Sequence, residues 1–291
     1  MTADRPVPNS AGTASPQTVA PANACDCHMH IYDERFPAAR PASRHQTQAT
    51  VAEYRLLQAR IGTSRTVVVQ PASNVTDNAV TLDAIAQLGD QARGVAVVHP
   101  DVTDAELERL AAGGIRGIRF SVFDPRTAAV SIDMIEPLAA RVNERGWHIQ
   151  LHMRGDQIAD NAALLDRLDC PLVFDHMGRL PQPDGAAHAA FAVIRRLIDR
   201  GRSWVKLSGS YLDTRVGRPT YADATQVARA YVAAAPERVV WGSDWPHPTE
   251  SEKPDDAVLF DLVAAWAPDE ATRQRILVDN PAALYGFPAA P

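Results

Sequence analysis

Two histidines one residue apart, His28 and His30, stand in the run Cys25-Asp26-Cys27-His28-Met29-His30. Alternate side chains of a strand share a face, so the two imidazoles point the same way. Paired imidazoles at a strand end can hold a metal ion or polarise a carbonyl. A lone His-x-His is weak evidence. It gains weight because His152, His176 and Asp244 each fall at the end of a later predicted strand. A single buried histidine is more often a satisfied core residue than a ligand, but a set gathered at strand ends reads as a site. His45, His99, His148, His188 and His247 read as structural or surface residues, with His247 the least secure because it sits in a loop beside Asp244.

Short β-branched runs at 24–30, 65–70, 93–98, 115–120, 147–152, 171–176, 203–208 and 238–243 alternate with amphipathic stretches. The helical stretches lie near 50–60, 77–88, 103–112, 131–145, 157–168, 186–200, 221–234 and 257–266, with short terminal helices near 269–278 and 280–286. This alternation predicts a (β/α)8 TIM barrel of the α/β class. A doubly wound open sheet is the alternative, and no Gly-rich phosphate loop follows any strand to favour it. The long connections, 31–49, 120–130, 177–185, 209–220 and 244–256, all run from strand to helix. Those loops build the C-terminal face of a barrel, where chemistry is placed. On strict alternation His28, His30 and Asp26 face the barrel interior, while Cys25, Cys27 and Met29 pack outward.

Residues 1–22 are rich in Pro, Ala, Ser and Thr without an apolar signal region, and read as a disordered tail before a single barrel domain over 23–291. No apolar run reaches membrane-spanning length. The net charge of −6 and the lack of a basic stripe argue against nucleic acid as a partner. Three cysteines, Cys25, Cys27 and Cys170, give no disulfide framework, which fits a reducing cytoplasm. Nearly all basic residues are arginine, so a basic group near the site is a guanidinium suited to carboxylate or sulfonate. Arg119, Arg154 and Arg215 fall at strand ends or in long loops and are candidates for that role. Ser73, Asn74 and Tyr211 are candidate hydrogen-bonding partners of a substrate. Lys206 reads as structural, with an inward orientation left open.

Several ordered segments carry a resemblance from about residue 23 to residue 287: Asp26-Cys27-His28-Met29-His30, Val69-Gln70-Pro71 with Thr76-Asp77-Asn78, Arg116-Gly117-Ile118-Arg119-Phe120, Gly146-Trp147-His148, Asp175-His176-Met177-Gly178-Arg179, and Trp241-Gly242-Ser243-Asp244-Trp245-Pro246-His247-Pro248. The chain resembles the amidohydrolase superfamily, within it the branch of 2-pyrone-4,6-dicarboxylate lactonases, 4-sulfomuconolactone hydrolases and sugar lactonases. That resemblance implies a deformed (β/α)8 barrel and hydrolysis of a small acidic lactone. It implies that Asp244 acts as general base on water, that His28, His30 and His176 hold the carbonyl oxygen or a metal, and that Arg119 grips a substrate carboxylate. Such chemistry is sound from the residues too, since a carboxylate can take a proton from water and the developing oxyanion needs a cation or fixed donors.

The dicarboxylate lactonases resemble metal-free enzymes and carry a tyrosine where this chain has His152. Mononuclear members of the superfamily instead resemble a set of His28, His30, His152 and Asp244, which would suit one Zn²⁺ with an open position for water. His176 would then bond the water or the substrate carbonyl. Strand four offers no Lys or Glu near Arg119, so a binuclear site bridged by a carboxylated lysine is not expected. Lactone isomerases of the branch lack the first histidine and the strand-eight aspartate, both present here. A metal-dependent decarboxylase and a binding protein on an inactive barrel are further alternatives, the latter opposed by the unbroken catalytic set. The sequence leaves open which lactone is opened and whether the chain forms a homo-oligomer.

Overall fold

The computed structural model of the chain describes residues 6–40 and 47–288, so His45 lies outside the described residues. Eight parallel strands form one sheet in sequence order. They are β1 (Cys25–Met29), β2 (Arg65–Val69), β3 (Ala92–Ala96), β4 (Ile115–Ser121), β5 (His148–His152), β6 (Leu172–Phe174), β7 (Ser203–Leu207) and β8 (Val239–Trp241). Between them run α1 (Val51–Ile61), α2 (Ala79–Leu88), α3 (Asp104–Ala112), α4 (Ile135–Glu144), α5 (Gly155–Asp160), α6 (Ala162–Arg167), α7 (Ala189–Asp199) and α8 (Ala222–Ala234). After β8 come α9 (Asp256–Trp266), α10 (Glu270–Gln274), a π-helical turn Arg275–Asp279, and α11 (Asn280–Tyr285). The predicted helix at 157–168 is therefore two helices, broken at Asn161.

Two apolar clusters explain the layers. Val68, Ile118, Ile149, Leu151, Phe174, Val205 and Trp241 belong to the cluster shared with the surrounding helices. Val67, Val69, Val95, Val173 and Val240 belong to a second cluster with Tyr285 and Phe287, the residues that plug the floor of the barrel. The period-two alternation of each strand divides its side chains between these clusters.

Strand β1 departs from that rule. Asp26 pairs with Thr66 and Met29 with Val68, so three steps on β1 match two on β2. This is a bulge, and it flips the face assignment along the strand. Cys25 and Cys27 join the inner cluster, contrary to the outward packing predicted for them. Asp26 turns away from the interior, where alternation had placed it. It accepts from Tyr54 of α1 (3.0 Å), from Ser243 N (2.9 Å) and Ser243 Oγ (2.6 Å), and from His28 N (3.1 Å). After the bulge His28 and His30 face inward, as expected.

The barrel is closed by the segment after β8. Asp244 N donates to His28 O and His30 N donates to Trp245 O, each at 2.8 Å. Gly242 permits the approach: a Cβ there would lie 2.7 Å from His28 Cβ and 2.9 Å from its backbone nitrogen.

The expected disordered tail is corrected over residues 6–22. Val7 is buried, Pro8 O accepts from Trp245 Nε1 (2.8 Å), and Ala11 and Ala14 carbonyls accept from Arg60. Backbone groups make nearly all of these contacts, which is why composition does not reveal them. Among the described residues no helix is long and apolar enough to cross a membrane.

Candidate active site

The strand ends deliver four side chains to one point. His28 and His30 come from the end of β1, His176 from the turn after β6, and Asp244 from the loop after β8. The His28 and His30 Nε2 atoms are 3.3 Å apart. Asp244 Oδ1 lies 3.5 Å from His28 Nε2, 3.6 Å from His30 Nε2 and 3.9 Å from His176 Nε2. His176 and Asp244 both adopt positive φ, 49° and 64°. Left-handed backbone at residues other than glycine is held by the surrounding packing and is common at working sites.

The far side of the His30 ring fixes its hydrogens. His30 Nδ1 faces Val69 O at 2.9 Å, and a carbonyl only accepts, so Nδ1 carries the hydrogen and Nε2 of the neutral ring offers a lone pair. His28 Nδ1 lies 3.2 Å from Asp175 Oδ1, which accepts, and 3.4 Å from Lys206 Nζ, which donates, so these neighbours do not fix its tautomer. Burial pushes His28 well below the ordinary imidazole range, against the pull of Asp175, and burial lowers His176 too. Asp244 is held well below the usual carboxylate range: burial opposes ionisation, but the three facing rings outweigh it. Imidazole nitrogens and a carboxylate oxygen thus converge at 3.3–3.9 Å, a set suited to a positive charge at its centre. Ligand atoms of His28, His176 and Asp244 all lie within 4.8 Å of one another and could hold a metal ion.

His152 stands apart from this group. Its Nδ1 meets Ser121 Oγ at 2.9 Å and its Nε2 accepts from Arg179 at 3.1 Å, so both nitrogens are engaged. The ring stacks on Phe123 and meets His176 edge-on. The place expected for His152 in the ligand group is taken by His176.

Beneath the cluster lies a buried network that sequence reading did not assign. Asp175 Oδ2 accepts from Arg119 Nε (2.9 Å) and Gln150 Nε2 (3.1 Å). Lys206 Nζ donates to Cys27 O and Gln150 Oε1, both at 2.7 Å, and is 3.8 Å from Asp175 Oδ1. Burial pushes Lys206 down to about 8. Asp175 stays well below the usual carboxylate range, because His28, Arg119 and Lys206 outweigh its burial. The inward orientation left open for Lys206 is the one observed. The signal available in the sequence was polar residues at inward positions of interior strands.

The predicted substrate-binding residues separate. Arg119 lines the cavity above the cluster, together with Tyr32, Ser121, Arg179, Leu212 and Thr249. Only its Nε is used, on Asp175; among the described residues its two Nη groups have no protein partner. Arg154 instead bonds Phe123 O and Asp156. Arg215 is exposed and lines neither this cavity nor its neighbour. Ser73 and Asn74 are buried in the turn after β2, where Ser73 Oγ donates to Asn74 Oδ1 and Asn74 to Phe36 O. Tyr211 donates to Asp244 Oδ2 at 2.7 Å. His247 also belongs to the site, since its Nδ1 lies 2.9 Å from the Tyr211 hydroxyl. Its position three residues after Asp244 was the available hint.

Beside this cavity is a second one, lined mainly by Val75, Val97, Phe123, Ala129 and Val130, and sharing Ala72, Arg119, Ser121, His152 and Thr249 with the first. A bound molecule can therefore place one anionic group on Arg119 and an apolar body against this wall.

Comparison with known proteins agrees with the geometry. The chain is 34% identical over 279 residues to D-galactarolactone isomerase of Agrobacterium fabrum, covering 94% of each chain. It is 34% identical over 273 residues to 4-sulfomuconolactone hydrolase of Rhizobium radiobacter, covering 91% of each. A ligand-free crystal structure of an Agrobacterium tumefaciens protein, 32% identical, superposes with a TM-score of 0.88 over 97% of this chain and 99% of that one. The amidohydrolase family model matches residues 25–287, and with the barrel and its strand-end cluster this chain belongs to the amidohydrolase family.

Proposed function

We propose that the protein hydrolyses a small acidic lactone of the muconolactone, sulfomuconolactone or pyrone-dicarboxylate kind. One observation carries this reading: Asp244 Oδ1 faces three imidazoles within 3.5–3.9 Å, at the floor of a cavity into which Arg119 presents its unpaired guanidinium end. The donor set of neutral imidazoles and a carboxylate fits a single divalent ion of zinc's type, held by His28, His176 and Asp244 with His30 alongside. Such an ion, when bound, supplies the positive charge that a developing oxyanion requires.

The chain's own residues account for the remaining steps. Arg119 binds the substrate carboxylate and so orients the ring. Asp244, ionised, takes a proton from water as the water oxygen attacks the carbonyl carbon. The ester C–O bond then breaks, and Asp244 returns that proton to the departing ring oxygen, giving a hydroxy acid. Ser121 and Arg179 hold His152 as part of the cavity wall.

A panel of sulfonated, dicarboxylic and sugar-acid lactones, followed by NMR with and without chelator, tests this. Ring opening to the hydroxy acid is expected, with Asp244→Asn folded and slower by roughly three or more powers of ten, as for loss of a base and an electrostatic partner together. A rearranged lactone as product would assign isomerisation instead. Near wild-type turnover in Asp244→Asn would remove the base from the scheme, and full activity with no bound metal would remove the ion.

A further inference from the structure

Behind Asp244 stands a row of side chains that catalysis as described does not use. Tyr211 donates to Asp244 Oδ2 (2.7 Å), His247 Nδ1 meets the Tyr211 hydroxyl (2.9 Å), and His247 Nε2 meets Asp256 Oδ2 (3.2 Å). His247 and Asp256 are fully buried, and the Tyr211 and His247 rings meet edge-on at 5.2 Å. Asp256 opens α9, so the row ties the general base to a helix of the outer layer.

We infer that Asp256, His247 and Tyr211 form a positioning relay that fixes the orientation of the Asp244 carboxylate, an inference that rests on the hydrolase reading above. The direction of the two outer bonds follows from hydrogen counting. Asp256 only accepts, so His247 carries a hydrogen on Nε2, and its Nδ1 lies 2.9 Å from the tyrosine hydroxyl. The Tyr211 hydroxyl has one hydrogen, and its shorter contact is with Asp244 Oδ2. While Asp244 bears its charge, the shorter, charge-assisted contact takes that hydrogen. Oδ2 is thereby anchored, which leaves Oδ1 turned toward the three imidazoles.

Partners one step removed from a site commonly change activity by about 10–100-fold. Tyr211→Phe is expected to lower kcat by about that factor while leaving KM within about twofold. His247→Leu and Asp256→Ala are expected to do the same, and His247→Asn, which keeps a polar atom near Nδ1, to recover part of the loss. The deciding measurement is the double-variant cycle: if His247 acts through Tyr211, His247→Leu costs nothing further in the Tyr211→Phe background. Multiplying losses, or wild-type kcat in Tyr211→Phe, would overturn the relay. Should wild-type protein open no lactone, the hydrolase reading fails by itself. The relay is then tested by ¹⁵N NMR of His247, whose Nε2–H tautomer must be lost in Asp256→Ala; its persistence refutes the relay.

Discussion

Arg119 uses one edge of its guanidinium to hold buried Asp175 and leaves the other free in the cavity. A lysine could hold Asp175 or a substrate carboxylate but lacks the fork to serve both. Arg119→Lys is therefore expected to raise KM for an acidic lactone by about 10–100-fold, the worth of roughly 1.5–3 kcal/mol for a hydrogen bond to a charged group. The methyl ester of the same lactone should be affected far less. Equal losses for acid and ester would show that Arg119 acts only on the fold. His28, His30, His176 and Asp244 were legible in the sequence because polar side chains at strand ends have few structural uses. Lys206, Gln150 and Asp175 were not, because a charge inside a barrel is explained only by partners from other strands, and those pairings are visible only once the strands are closed. Tyr211 and His247 sit in loops, whose paths no periodicity predicts.

At the scale of the element, the bulge in β1 decides which side chains reach the cluster. Pure alternation put Asp26 inside and the cysteines outside; one inserted residue reverses both while keeping His28 and His30 inward. The strands and their order were readable from the βα alternation, but a bulge leaves no compositional trace. The closure of the barrel depends on the same stretch. Gly242 meets His28 too closely for any side chain, and the obstacle is partly backbone, which cannot turn aside. Gly242→Ala is expected to destabilise the fold by about 1–3 kcal/mol, the usual cost of overpacking. It should also lower kcat by moving His28 away from Asp244. Denaturant melts and kinetics on one preparation check both, and an unchanged melt would mean that β1 and β8 are not held this closely.

Across the whole molecule, the N-terminal segment straps the barrel on the side that carries Trp245. Pro8 O accepts from the Trp245 indole, Gln17 N and Thr18 N donate to the Asp261 carboxylate on α9, and Arg60 of α1 reaches Ala11 O, Ala14 O and Asp255. The strap thus bridges α1 and α9, the helices that follow the first and last strands of the sheet. Trp245 in turn accepts from His30 N through its carbonyl, so the strap and the site share one residue. Each bond contributes about 1 kcal/mol net, and removing residues 1–18 also exposes buried Val7's partners and leaves the indole N–H without its acceptor. The truncated chain is expected to lose about 5 kcal/mol, which lowers Tm by roughly 10 °C in a domain of this size. Tryptophan emission should shift to the red as water reaches Trp245. A truncation that melts and fluoresces like the full chain would show that these contacts contribute nothing in solution and that the segment is the free tail its composition describes.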